Sequence, residues 1–200
     1  MLCGEANTVM TTQPNTREWN GLIIPTAGTY ELDPAHKRVG FVARHMMVSK
    51  VRGEFTDATA TITVAEDPLQ SSVTATIQAA SITTSHADRD AHLKGGDFLD
   101  VEKYPTLTFR STGIKSYSGN TFVLAGELTI KDVTRPVELN VEFEGAGRSP
   151  FGADIFGFSA TTEIDREEFG LTWNVALETG GVLVGKKITI EIEGEAIRKS

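Results

Sequence analysis

The sequence predicts an all-β protein: an extended antiparallel barrel of about eight strands with a short helical segment near residues 85–94. Three observations predict it. Apolar and polar residues alternate with period two in successive stretches from Gly28 onward, the pattern of half-buried strands. Turn-forming pairs and triplets, among them Asp67-Pro68, Ser118-Gly119-Asn120 and Gly180-Gly181, separate those stretches. One segment, Ser81 to Pro105, lacks the alternation.

Taken in order, Val39, Phe41, Ala43 and His45 share one face, followed by Val73, Ala75, Ile77 and Ala79, then Leu107, Phe109 and Ser111. The second half continues with Leu124, Gly126, Leu128 and Ile130, then Val137, Leu139, Val141 and Phe143. Phe158, Ala160, Thr162 and Ile164 form another face, and Ile188, Ile190 and Ile192 the last. Long strands with one apolar face either stack as a sandwich or close on themselves. Closure removes the exposed edges, and about eight strands leave an interior able to hold one small ligand. The small residues Ala43, Ala75, Ala79 and Ala160 on these faces leave room for one.

Within the non-alternating segment, Asp88 and His92, and Asp90 and Lys94, lie four apart, which supports one or two helical turns ended by Gly95-Gly96. Phe98, Leu99, Val101 and Tyr104 add apolar weight, so the segment suits a plug across one barrel end. Residues 1–27 are polar and without periodicity; they read as a loosely ordered leader, with Trp19, Leu22, Ile23 and Ile24 available to dock on the domain. The barrel domain spans 28–198.

Composition narrows the function. A chain of 200 residues suits one domain. Its net charge of −8 and pI near 5.0 lack the basic face of a nucleic-acid binder. A single cysteine, Cys3, allows neither an intramolecular disulfide nor a thiolate metal cage. No stretch approaches the roughly 20 apolar residues of a bilayer-crossing helix. The first residues lack the basic-then-apolar pattern of an export signal, so the expected location is cytoplasmic.

No nucleophile elbow and no phosphate-cradling glycine loop is present. His86 and His92 are six apart, a spacing that suits metal ligands on neither a helix nor a strand, and the simpler reading is a charged helix paired locally. No catalytic residue, metal or cofactor is therefore assigned. His45 shares a face with Val39 and Phe41 and is expected to point inward. Its imidazole then serves either as a core group hydrogen-bonded by a neighbour or as a polar contact for an otherwise apolar ligand.

A set of sequence words then resembles one family. The words are Asp33-Pro34-Ala35-His36, Val39-x-Phe41, His45-x-x-x-Ser49-x-Val51-x-Gly53-x-Phe55 and Ala80-Ser81-Ile82-x-Thr84. They continue with Arg89-Asp90-Ala91-His92-Leu93, Asp97-Phe98-Leu99-Asp100-Val101, Tyr104-Pro105-x-Leu107-x-Phe109-x-Ser111 and Gly126-x-Leu128-Thr129-Ile130-x-x-Val133-Thr134-x-Pro136-Val137, and end with Arg166-x-x-Phe169-Gly170-Leu171. In this order and spacing, from about Gly28 to Glu195, they resemble the YceI-like family of small bacterial, lipocalin-like barrels. The resemblance implies a tunnel holding a polyisoprenoid chain, of the prenyl quinone or prenyl diphosphate type, for transport, storage or sequestration and without catalysis. Many relatives are periplasmic. Lys37 stands where the family often has Ser, and Asp165 where Asn commonly precedes the Arg.

On that basis Phe41, His45, Val51, Phe55, Phe109 and Trp173 are expected against the ligand, with Arg89 and His92 of the helical segment also at the ligand, and with Arg89, Lys94 and Lys103 near the plug available as positive charge for a diphosphate head. Two other readings stay open: a structural or partner-binding barrel filled by its own side chains, and a hydrolase or isomerase using His45. A homodimer in which barrel mouths cover each other fits the same sequence.

Overall fold

Residues 15–200 are described by the structure, a computed structural model. Residues 1–14 of the expected leader, Cys3 among them, lie outside the described residues. The strands are β1 Thr16–Trp19, β2 Leu22–Pro25, β3 Gly28–His45, β4 Ser49–Phe55, β5 Ala58–Val64, β6 Ser72–Gln78 and β7 Ile82–Thr83. After helix α1, Ala87–Lys94, come β8 Thr106–Ser118, β9 Thr121–Ile130, β10 Val133–Arg148, β11 Asp154–Asp165 and β12 Val184–Arg198. Every strand pairing is antiparallel.

Eight of these strands close a ring, in the order β3, β5, β6, β8, β9, β10, β11 and β12, with β12 returning to β3. The predicted eight-stranded barrel with one short helix is thus the observed fold. In the leader the structure corrects the expectation. Residues 16–25 form a hairpin, because Asn20 and Gly21 both take positive φ (47° and 79°) and make the two-residue turn that matches strand twist. Strand β2 packs against β10 and β11.

The long strand β3 changes partner along one edge. Gly28–Glu31 pairs with β5, whereas Val39–His45 pairs with β4. Between them lies a bulge against β12, where Leu32 opposes Ala196 but Lys37 already opposes Gly194. The word Asp33-Pro34-Ala35-His36 is this bulge. Pro34 has no N–H to donate to a ladder, and Asp33 Oδ1 accepts from the Ala35 amide at 2.9 Å. The extra residues bend β3, so that β4 leaves the ring and pairs with β7.

The gap that β4 leaves at this end is covered by β7, α1 and the following loop. Asp90 ties the helix down: its Oδ1 accepts from the Thr84 amide (2.7 Å) and hydroxyl (2.5 Å), and Arg89 Nε donates to the same hydroxyl at 2.7 Å. Burial pushes the Asp90 carboxyl up, but the Thr84 and Thr83 hydrogen bonds outweigh it and hold the pKa below the ordinary value. Leu99, Leu107, Leu128, Ile130, Ile164 and Phe169 form the core beneath. Phe41 and Phe55 pack against that core with ring centroids 5.8 Å apart.

Arg166, only 2% exposed, holds the long connection between β11 and β12. Its guanidinium donates to the carbonyls of Gly185 (2.9 Å), Trp173 (3.0 Å), Val184 (3.3 Å) and Leu171. Gly170 follows at φ 77° and closes the short turn Arg166–Phe169. Removing the guanidinium strands several of those carbonyls. Arg166→Ala is expected to cost about 3 kcal/mol, lowering the thermal midpoint by roughly 6–12 °C for a domain of this size. A melt within a degree or two of the parent would contradict this reading.

Candidate functional site

The inward faces of the strands enclose a cavity of about 290 Å³ at the end of the barrel away from the plug. This size lies at the lower edge of the roughly 300–1,000 Å³ typical of ligand pockets. The alternating positions form its wall: Val73, Ala75 and Ile77 from β6, Val137, Leu139, Val141 and Phe143 from β10, and Phe158, Ala160 and Thr162 from β11. Along β9 the lining runs from Thr121 to Leu128, which at about 3.3 Å per residue and barrel tilt is a depth of roughly 20 Å. Among the described residues, no charged side chain belongs to the lining.

Two features set the width. Ala58, Ala60, Ala75 and Ala160 keep the wall thin. Gly126 lets the Phe109 ring lie flat on the sheet, since a β-carbon there would sit 2.4 Å from that ring. Gly53 does the same for Phe41 in the plug, at 2.3 Å. These glycines are needed for close approach to an aromatic ring rather than for backbone freedom.

The hairpin β1–β2 contributes Trp19, Leu22, Ile24 and Pro25 to the open end of the cavity. Trp19 reaches Tyr117 near the β8–β9 turn, ring centroids 5.2 Å apart. Tyr117, Asn120 and Ser72 supply polar groups there. This mouth is absent from the expected site, although Trp19-Asn20-Gly21-Leu22 carries the Asn-Gly signal of a tight hairpin between apolar residues.

Of the expected site residues, the structure brings only Phe109 to the cavity. Phe41 and Phe55 belong to the plug core, and Val51 lies on β4, outside the ring. His45 does not point into the barrel. It is exposed, because it is the last residue of β3 and no covered rung lies beyond it, so an inward parity meets solvent. Trp173 and His92 meet at the plug instead, ring centroids 4.6 Å apart and nearly perpendicular, with Phe98 5.3 Å from Trp173. His92 Nε2 is also 3.0 Å from Asp97 Oδ2. Arg89 serves the Thr84 tie described above.

Outside the barrel, Asp33, His36 and Glu195 each bring one potential metal-ligand atom into a group within 4.8 Å. His36 Nδ1 lies 2.7 Å from Asp33 Oδ2 and 3.8 Å from Glu195 Oε2. That hydrogen bond, with the nearby Glu195 charge, raises the His36 pKa; the same hydrogen bond and that from the Ala35 amide lower the pKa of Asp33. The pair already satisfies itself at the bulge of β3, and none of the three residues belongs to the tunnel lining.

Comparison with known proteins adds the following. The family model described as the YceI-like domain matches residues 30–196. A UPF0312 protein of Staphylococcus aureus (strain N315) is 38% identical over 168 residues, covering 83% of this chain and 95% of its own. The solved YCEI protein of Campylobacter jejuni superposes with TM-score 0.68 at 29% identity, over 78% of this chain and 90% of its own. BcnA of Burkholderia cenocepacia gives 0.70 at 24%, over 82% and 98%. A polyisoprenoid binding domain from Saccharophagus degradans gives 0.62 at 10%, over 87% and 100%, a likeness of fold.

Two outcomes test the geometry. Gly126→Ala is expected to push the Phe109 ring off the sheet and cost about 1–3 kcal/mol, read as a lower denaturant midpoint. By NMR, His36 should titrate above 6.5 and return toward that value in Asp33→Asn. Its folded pKa exceeds the unfolded one, so the stability it adds is complete below 6.5 and is lost as pH rises through the folded value. A normal His36 titration would remove the pair from the account.

Proposed function

The chain belongs to the YceI-like family, and from that premise we propose that it binds a polyisoprenoid lipid in the tunnel described above, to carry or store it. The observation that supports this most directly is a deep, narrow cavity whose wall, among the described residues, holds no charged side chain. Burial of each five-carbon unit in such a wall is worth up to about 4 kcal/mol before immobilisation costs. The neighbouring fold from Saccharophagus degradans, described as a polyisoprenoid binding domain, points to the same ligand class.

The apolar lining supports a preference between the two head groups that the sequence leaves open. A diphosphate entering a wall with no cation among the described residues would lose its hydration without replacement, at a cost of several kcal/mol. A quinone or an alcohol needs only the hydroxyl and amide groups of Tyr117, Asn120 and Ser72 at the mouth. We therefore place a neutral head there, of the prenyl quinone rather than the prenyl diphosphate type. A barrel filled throughout by its own side chains fits the plug end only.

Native mass spectrometry of protein purified from its own host, followed by organic extraction, tests the reading; a co-purifying prenyl lipid is expected. In reconstitution, a prenyl quinone or alcohol should bind at least tenfold tighter than the diphosphate of equal chain length, about 1.4 kcal/mol. Ala160→Phe should block uptake, and the milder Ala75→Leu, with an unchanged melt, should shorten the longest chain accepted. Protein that neither carries nor takes up prenyl lipids would overturn the proposal.

A further inference from the structure

At the plug end, the tip between β3 and β4 combines three features that work against a free, solvated hairpin. Large apolar side chains stand in solvent: Met46 is 42% exposed, Met47 64% and Val48 82%. Val175 (45% exposed) belongs to the adjoining loop, to which the tip is joined by a 2.8 Å hydrogen bond from the Met46 amide to the Leu183 carbonyl, while the Leu183 amide bonds Val175. Tyr117 and Phe151, the other large apolar residues comparably exposed among those described, lie at the opposite end, so this corner holds most of them. Scattered single exposures are ordinary; a cluster marks a contact surface.

The second feature is backbone strain. Met46 and Met47 both take positive φ, 52° and 58°, without being glycine or asparagine. The turn type demands that conformation, and the side chains it projects are unbranched and apolar. The third is charge. Arg44 and Lys50 are directly opposite each other across the hairpin, a like-charged pair that destabilises a sheet, and neither forms an ion pair with a carboxylate of the described residues. Nearby acids are engaged elsewhere: Glu54 and Glu191 with Arg38, Glu191 also with Arg52, Glu167 with Lys186 and Glu163 with Lys187. Glu178 is in the adjoining loop, so the corner stays net positive beside His45.

One kind of surface offsets the apolar exposure and the like-charged pair at once. We infer that the Met46-Met47-Val48 tip, with Arg44 and Lys50 behind it, docks on an anionic lipid bilayer. The apolar side chains enter the acyl boundary, and the two cations meet the headgroup charge that the sheet fails to supply. The chain's overall charge of −8 does not prevent this, because ions screen the remote acids beyond about 8 Å at physiological salt. A second copy of a chain this acidic lacks the same complementarity. Docking at the plug end turns the tunnel mouth, at the other end of the 18-residue β3, away from that bilayer.

Co-sedimentation of the full chain with vesicles tests this. Phosphatidylglycerol mixed with phosphatidylcholine should retain the protein, phosphatidylcholine alone should not, and about 0.5 M salt should release it. Met47→Ser combined with Val48→Ser, and Arg44→Gln combined with Lys50→Gln, should each weaken binding about tenfold or more. Phe151→Ser, at the opposite end, should leave binding unchanged, and thermal melts confirm that each variant is folded. The inference is overturned if the parent ignores anionic vesicles or if both tip variants bind like the parent. It is also overturned if the tip variants abolish a concentration-dependent dimer instead, which would make the tip a protein contact. Because prenyl-lipid retention is measured separately, failure here leaves the tunnel reading standing.

Discussion

The pairing of β3 with β12 is the interaction on which the molecule depends. It joins the first and last strands of the ring, from Tyr30 opposite Arg198 to His45 opposite Val184, and so leaves the barrel without a free edge. The seam is reinforced where it begins. Arg198 donates to the Thr26 hydroxyl at 2.7 Å, the Ala27 carbonyl at 3.0 Å and the Tyr30 hydroxyl at 3.2 Å, and Tyr30 itself is fully buried. Contacts so distant in sequence also carry the largest loop-closure cost of any pairing in the ring.

Closure alone would make a uniform tube. The bulge at Asp33-Pro34-Ala35-His36 prevents that by sending β3 from one partner to another, and the two ends then diverge. Beyond the bulge, β4 steps out of the ring and the opening is filled by α1, Phe98, Leu99 and the aromatic pair Phe41 and Phe55. Before the bulge, β5 and β6 stay in the ring with alanines on their inner faces, and space remains. One end is therefore a solid core and the other a tunnel, a difference made by strand partnership more than by composition.

This division explains why the recognisable words are poor guides to which residues line the cavity. Asp33 to His36 is a bulge, Gly53 makes room for Phe41, Arg89 and Asp90 fasten a helix through Thr84, and Arg166 gathers carbonyls of a long loop. Each needs a particular residue because a bend, a close approach or a buried charge allows few substitutes. The tunnel wall needs only apolar side chains of moderate size, which leave no distinctive spelling. Of the eight residues expected at the ligand, Phe109 alone lines the cavity, and it does so as part of an ordinary alternating face.

Period-two alternation, turn chemistry and the four-apart pairs of residues 88–94 were enough, from the sequence by itself, to determine an all-β chain of about eight long strands, its short helical segment and the apolar faces of β6, β9, β10, β11 and β12. These are local properties, set by where successive side chains lie along a strand. How far along each strand the interior stays enclosed was decided only by the tertiary structure. His45 has the parity of an inward residue but stands past the last covered rung, while Trp19 and Leu22 come from outside the family domain to line the mouth. Parity is a property of one strand, whereas enclosure depends on what the other strands place opposite it, and that is known only once the ring has closed.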